Sequence, residues 1–234
     1  MLELFLFNKF DKMKIAFYIL SFLSSSIILA QEKSNWTVEA HGGIPFNISL
    51  PLTIHQNGYE DLKFTAHFNS EPFTPPIFWV YRFSKWKNDK AWEFEMMHQK
   101  LYLKNPPKEI QYFSITHGYN QLMFNRAVKF SLFNKTEFIY RIGAGFVLAH
   151  AENMVRGKEL DQNQSFRNKG YYIGGPVINL ALAKQFKISS RFYFNTEIKN
   201  NTSFAKIPVV DGHAFVWHSA FELIGGLGIY ILKR

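Results

Sequence analysis

Cysteine is absent from the 234 residues. That excludes disulfides, thiol nucleophiles, thiolate metal sites and a lipid anchor carried on cysteine. Beyond the N-terminal segment there is no apolar run of the roughly 20 residues that a membrane-spanning helix needs. An excess of acid is also missing, since the formal net charge is +9. Such a balance suits an anionic membrane surface or an anionic lipid. It would also suit nucleic acid, but the chain has no clustered Lys/Arg stripe and no nucleic-acid-binding motif. No nucleic-acid partner is expected.

What the chain has in plenty is aromatic surface. Aromatics make up 18%, and 25 residues are Phe. That is high for a soluble domain and ordinary for a lipid-facing one. At the N-terminus, Met13-Lys14 precedes an apolar run from Ile15 to Leu29, followed by Ala30-Gln31. A basic start, an apolar centre and a small residue before a polar stretch read as a signal peptide over 1–30. The competing reading is a membrane helix, against which the run is short and rich in serine. Residues 31–234 then form one exported domain. An exported membrane protein without a spanning helix has to be a closed β-barrel, because each backbone polar group in lipid needs an internal partner.

The patterning agrees. Two-residue alternation marks strands at about Trp36 to Phe46, Ile77 to Trp86, Ala91 to Leu103, Ile110 to Arg126, Thr136 to Ala149, Tyr171 to Gln185, Ile188 to Asn200 and His213 to Leu232. Between the first two, Asn57-Gly58 sits between Leu50–His55 and Leu62–His67, and Asn-Gly signals a hairpin turn. That segment reads as a loop with its own small hairpin. The expected class is all-β: an eight-stranded antiparallel transmembrane β-barrel with short periplasmic turns and longer extracellular loops. A soluble lipocalin-like barrel is the alternative, but the outward positions are nearly all aromatic or branched. Eight strands enclose a lumen that side chains fill, so no channel is expected. The barrel is expected to be a monomer in the outer membrane of a Gram-negative bacterium.

With that topology, polar residues collect towards the extracellular ends of the strands. They are His98, Lys100 and Tyr102; His117 and Asn120; His150, Glu152 and Arg156; Glu197 and Lys199; His213 and His218. Arg82, Arg141, Arg191 and Glu222 fall towards the periplasmic half. Alternation puts Glu95 on the opposite face from His98, unless a bulge falls at Met96-Met97; bulges gather at barrel rims and sites. It also puts Ser114, Thr116, Gly118 and Asn120 inward and His117 outward, unless a second bulge intervenes. His150 and Glu152 continue the apolar face of their strand and so belong above the hydrocarbon or beyond a kink. A His/Glu cluster of this sort can hold a divalent metal, although no pair shows a diagnostic spacing.

The blocks Phe94–Tyr102, Phe113–Asn120, Gly143–Gly145 with Ala149–Glu152, and Glu197–Lys199 resemble, in order and spacing, those of the lipid A oxidase family. The resemblance covers about residues 75–232. It implies an outer-membrane barrel that oxidises the proximal glucosamine of lipid A with molecular oxygen and a divalent metal ion. Carried over by position, it implies a catalytic set of Glu95, His98, Lys100, Tyr102, His150 and Glu152. Asn120, Glu197 and Lys199 match further positions and would contact substrate. Beyond the matched positions, Arg156 is expected to help hold the substrate's phosphates, and a divalent metal is expected at His98, His150 and Glu152. Gln99 stands where the family often has a second histidine, and His117 where it often has an acid. Two other functions stay open: an acyl-chain hydrolase or transferase acting on lipid A, and a non-catalytic barrel for adhesion or envelope integrity. For the hydrolase, adjacent His218 and Ser219 point to opposite faces and make a poor dyad.

Overall fold

A computed structural model of the chain describes residues 36–132, 136–161 and 170–231. The expected signal peptide, the turn at Phe133-Asn134-Lys135 and the middle of the 151–170 loop lie outside them. Every regular element among the described residues is a strand: β1 (Trp36–Ile48), β2 (Leu50–Gln56), β3 (Leu62–Ala66), β4 (Phe68–Asn69), β5 (Trp79–Lys87), β6 (Lys90–His98), β7 (Leu101–Leu103), β8 (Ile110–Leu132), β9 (Thr136–Val155), β10 (Lys158–Glu159), β11 (Tyr171–Lys187), β12 (Phe192–Val209) and β13 (Gly212–Ile231).

Eight of these close a ring. Hydrogen bonding runs β9-β11-β12-β13-β1-β5-β6-β8, and β8 pairs back onto β9. Every neighbour in the ring is antiparallel. Closure leaves no open edge, which is what a sheet in hydrocarbon requires. The ends differ. One carries tight turns, Lys87 to Lys90 among them. The other carries the β2–β3 hairpin and the 99–109 and 151–170 connections. By the usual asymmetry the first end is periplasmic and the second extracellular.

Period-2 alternation determines which side chains face out. In β13, Glu222 is wholly buried while its neighbour Leu223 is 57% exposed. Tyr81, Phe83, Trp92, Phe94, Phe124, Ile142, Phe146, Ile198, Phe221 and Leu227 are exposed in the same manner around the wall. A belt this large and apolar cannot stand in water and is matched by lipid.

The inside has two storeys. In the lower one, Arg82 donates to Glu39 at 2.6 Å, to Glu95 at 2.8 Å and to Glu197 at 2.8 Å. Arg141 donates to Glu93 at 2.8 Å and to Glu197 at 2.9 Å. Lys199 pairs with Glu95. Tyr193 and Ser84 donate to the second oxygens of Glu39 and Glu93, and Asn125 adds a donor to the Glu95 oxygen that Arg82 meets. In the upper storey the filling is apolar: Leu52, Ile54, Met97, Leu101, Ile115, Val147, Ile207 and Val216 are all buried in one cluster. The barrel is plugged, as its strand number predicts.

Two expectations need correcting. The 47–76 segment is not a free loop with a hairpin on it. β2 runs on from β1 and pairs with the top of β13, Val216 opposite Leu52, so the hairpin extends the wall. Nor do Ser114, Thr116, Gly118 and Asn120 face inward. Phe113, Ile115, Tyr119 and Gln121 do. The reason is the apolar upper storey: above the lipid belt the barrel is apolar inside and polar outside, so the polarity of the pattern inverts with height.

Candidate functional site

The site begins with two neighbouring interruptions of the ladder. Registry between β6 and its partners is continuous through Glu95, Met96 and Met97. No bulge falls there, so alternation holds: Glu95 stays in the lumen, on the opposite face from His98. The break comes after His98, where Gln99 and Lys100 leave the sheet before β7 resumes it. The backbone carbonyl of Gln99 then accepts from Tyr119 N at 2.7 Å, and Lys100 Nζ donates to the Thr74 carbonyl at 2.6 Å. On β8 the second interruption falls between Ile115 and Tyr119, which oppose Ala151 and Ala149. Three residues, Thr116, His117 and Gly118, therefore face one residue, His150.

Gly118 makes that bulge possible. Its φ is +135°, a region that side chains rarely adopt, and a Cβ there would strike the Asn120 amide. The space goes to Asn120, whose Oδ1 lies 2.8 Å from His98 Nδ1. The His98 ring stacks on Trp79 with centroids 5.6 Å apart. Across the bulge, His117 Nδ1 is 3.0 Å from Glu152 Oε1, and the His117 and His150 centroids are 4.7 Å apart. Tyr171 packs edge-on against His150 and donates to the His117 carbonyl at 3.1 Å.

One ligand atom each from His117, His150 and Glu152 lies within 4.8 Å of the others. Two imidazoles and a carboxylate are a donor set suited to a divalent first-row metal, including the ferrous sites that activate oxygen. His150 stands above the lipid belt. Burial and the neighbouring His117 hold its imidazole below the usual range, against the pull of Glu152. The neutral ring is the form that binds metal.

A cavity of about 450 Å³ joins His98, His117, Asn120 and Tyr171 to Met96, Leu122 and Leu148. It opens in the outer wall, not in the mouth of the barrel. Three strands build it, with Met96 opposite Leu122, Leu122 opposite Phe146, and Asn120 opposite Leu148 one step higher. Reading upwards, the outward residues are Phe94, Met96 and His98 on β6; Phe124, Leu122 and Asn120 on β8; and Phe146, Leu148 and His150 on β9. The phenylalanines are in the exposed apolar belt. The polar row stands at its upper edge.

Of the residues implied by the family resemblance, His98, Asn120, His150 and Glu152 come together on this wall. Lys100 and Tyr102 stand beside them, with Lys100 Nζ 5.7 Å from the Tyr102 ring centre. Tyr102 pairs with Ser114, which pairs with Glu152. Glu95, Glu197 and Lys199 lie elsewhere, fully inside the lower lumen network. Glu197 and Lys199, expected towards the extracellular ends of the strands, thus belong to the lumen network and not to the wall cluster. Arg156 is also apart: it donates to Gln56 at 2.7 Å and to the Glu60 carbonyl at 2.8 Å, tying down the β2–β3 hairpin. His117, rather than His98, completes the tight three-residue cluster. Trp79 and Tyr171 were not foreseen. The one signal for them was the repeated outward series of aromatic, aliphatic and then polar residues.

No family model matches the chain, and no curated protein matches it. Solved structures do. The outer membrane protein AlkL, determined by solid-state NMR in DMPC bilayers, aligns with a TM-score of 0.53 and 8% identity over 88% of this chain and 95% of its own. OprG from Pseudomonas aeruginosa aligns at 0.45, with 9% identity over 85% of this chain and 96% of its own. Outer Membrane Protein W of E. coli aligns at 0.42, with 12% identity over 86% of this chain and 100% of its own. Fold and comparison agree on the class: an eight-stranded antiparallel barrel of the outer-membrane kind.

Proposed function

We propose that this chain spans the outer membrane of a Gram-negative bacterium and modifies lipid A from its outer wall. The reaction we infer is oxygen-dependent oxidation of the proximal glucosamine. One observation carries the reading: a polar cluster suited to a divalent cation stands at the upper edge of the apolar belt and opens sideways. Lipid A would present its sugars at that height while its acyl chains lay along Phe94, Phe124 and Phe146. A soluble substrate has no need of a site entered from the side.

The chemistry is a two-electron oxidation. The substrate is a lipid A whose proximal anomeric carbon bears a free hydroxyl and no phosphate. That carbon loses its hydrogen and the hydroxyl its proton, and the two electrons and two protons reduce molecular oxygen to hydrogen peroxide. Addition of water to the resulting lactone gives the open acid, a net gain of one oxygen atom. A divalent cation at His117, His150 and Glu152 would supply Lewis acidity and a place for oxygen. The chain's own residues do the rest. Asn120 and Trp79 fix the ring of His98, which is placed to take the hydroxyl proton. Lys100, buried and donating to the Thr74 carbonyl at 2.6 Å, would meet a phosphate of the substrate by leaving that carbonyl. Lys199 and Arg156 are engaged elsewhere.

The geometry does not favour a hydrolase. The hydroxyl nearest a histidine in the cluster is Thr116 Oγ1, 3.2 Å from His117 Nδ1. Glu152 meets the same nitrogen, whereas a nucleophile–base–orienter relay needs both ring nitrogens. His218 is deep in the lumen, with Nε2 3.0 Å from Asn47 Oδ1.

The test is turnover by the purified barrel on lipid A under oxygen, followed by mass spectrometry. The expected product is heavier by one oxygen atom, is lost on chelation and returns when a divalent cation is added. A product that ignores chelation would remove the metal from the account. Loss or gain of an acyl chain would replace oxidation with acyl chemistry. Unchanged lipid A would leave a non-catalytic barrel.

A further inference from the structure

A second cavity, of about 430 Å³, opens in the wall at the short-turn end. Its lining is Lys85, Lys87, Lys90, Trp92 and Arg126, with Asn88 in the turn. From Trp79 to Lys87 along β5, a rise of ~3.3 Å per residue and a tilt of about 40° give a vertical separation of roughly 20 Å. That is close to the height of the apolar band in such barrels, about 25 Å. The histidine pocket marks one membrane interface, and this cavity marks the other.

Its charges are unusual for the molecule. At the extracellular end, Lys63 pairs with Asp61, Lys104 with Glu71 and Lys158 with Asp211. Lys85, Lys87, Lys90 and Arg126 have no ion pair among the described residues, and Asp89, in the same turn, contributes none. Two of the four cations are held over rings. The Arg126 guanidinium lies 4.7 Å from the centre of Trp92, and Lys85 Nζ lies 5.2 Å from the centre of Trp36. Such contacts orient a cation while leaving its hydrogen-bond donors available. Immediately above, towards the bilayer centre, the outward residues are Phe83, Phe94 and Phe124, all exposed.

We propose that this cavity binds the headgroup of an anionic phospholipid of the periplasmic leaflet. Four unneutralised cations around a cavity select a phosphate. The lack of a partnering carboxylate selects against headgroups that carry an ammonium. The phenylalanine wall above it supplies the surface along which acyl chains would lie, and this favours a lipid over a free phosphate ion.

The purified barrel is exchanged into nanodiscs of phosphatidylcholine containing either phosphatidylglycerol or phosphatidylethanolamine. Retained lipid is then read by native mass spectrometry after transfer to detergent. Phosphatidylglycerol is expected to remain bound and phosphatidylethanolamine to be lost. Removing one cation weakens retention about fivefold, and the double variant K87Q/R126Q does so about 25-fold. K87Q alone, in an exposed turn outside the folding core, keeps the test interpretable should the double variant fold poorly. Equal retention of the two lipids, wild-type retention by K87Q, or displacement of the lipid by millimolar inorganic phosphate would each overturn the proposal.

Discussion

The lumen network and the wall cluster are both built from ionisable residues, yet they differ in almost every physical respect. In the lumen, three cations meet four carboxylates in closed hydrogen-bonded geometry with no exposure. On the wall, two histidines and one glutamate share a short reach and remain open to the outside. Buried charges are costly unless paired, and Arg82, Lys199 and their carboxylates are engaged with one another. Nearby, Arg141 Nη2 and the Glu222 carboxylate lack hydrogen bonds but are sealed inside the lumen. The wall cluster brings its ligand atoms within 4.8 Å of one another on the outer face, with His117 exposed and His150 and Glu152 part-buried. Convergence without closure, rather than the mere presence of charge, separates a candidate site from scaffolding.

The comparison can be broken first on stability. Arg82→Met removes one cation from three carboxylates. It should destabilise the barrel by about 3–5 kcal/mol, measured as a shift in the urea midpoint of the heat-modifiable form. A variant as stable as the wild type would mean that the network is not scaffolding. Gly118→Ala comes next, since it forces a side chain into a left-handed backbone position against Asn120. A cost of about 1–3 kcal/mol is expected, together with loss of lipid A product, because Asn120 no longer holds His98. An unaffected G118A would show that the bulge tolerates relaxation and does not position the site.

Smaller effects on stability sharpen the contrast. Glu152→Gln changes a part-exposed group and should move folding by no more than about 0.5 kcal/mol, whereas His150→Ala removes a mostly buried ring and should cost about 1 kcal/mol. Affinity for a divalent cation, followed by calorimetry, should nevertheless fall by at least about tenfold. Full affinity in both variants would dissolve the wall cluster as a metal site. Thr116→Val should be the mildest, with stability and product both retained. Loss of product in T116V would reopen a nucleophilic role for its hydroxyl.

Alternation alone carried most of the fold. Phe215, Trp217, Phe221 and Leu223 face out and Glu222 faces in, as a period of two requires. All eight ring strands were legible, but β8 and β9 run six residues beyond their expected ends at Arg126 and Ala149, and β12 runs nine beyond Asn200. The failures have a common cause. A rule of apolar outside and polar inside holds only where lipid surrounds the barrel. β8 continues above the lipid, where Phe113 and Ile115 fill the lumen, and there small polar residues turn outward. The resemblance of the Phe94–Tyr102 block implies one site for Glu95 and His98, but neighbours in sequence separate onto opposite sides of a one-layer wall. His117 reaches Glu152 only because Gly118 permits a bulge, and no alternation pattern shows where a bulge will fall. Trp79 and Tyr171 join the pocket through pairings between strands distant in sequence.

The central claim is that the wall cluster, and not the lumen, acts on lipid A. It is tested most directly in cells carrying either the wild-type barrel or Glu152→Gln, matched for folded protein in the outer membrane by heat-modifiability. Lipid A from each is compared by mass spectrometry. The account predicts a species one oxygen atom heavier in the wild-type cells and its absence with E152Q at equal barrel abundance. The same heavier species in both strains, or in neither, would contradict it.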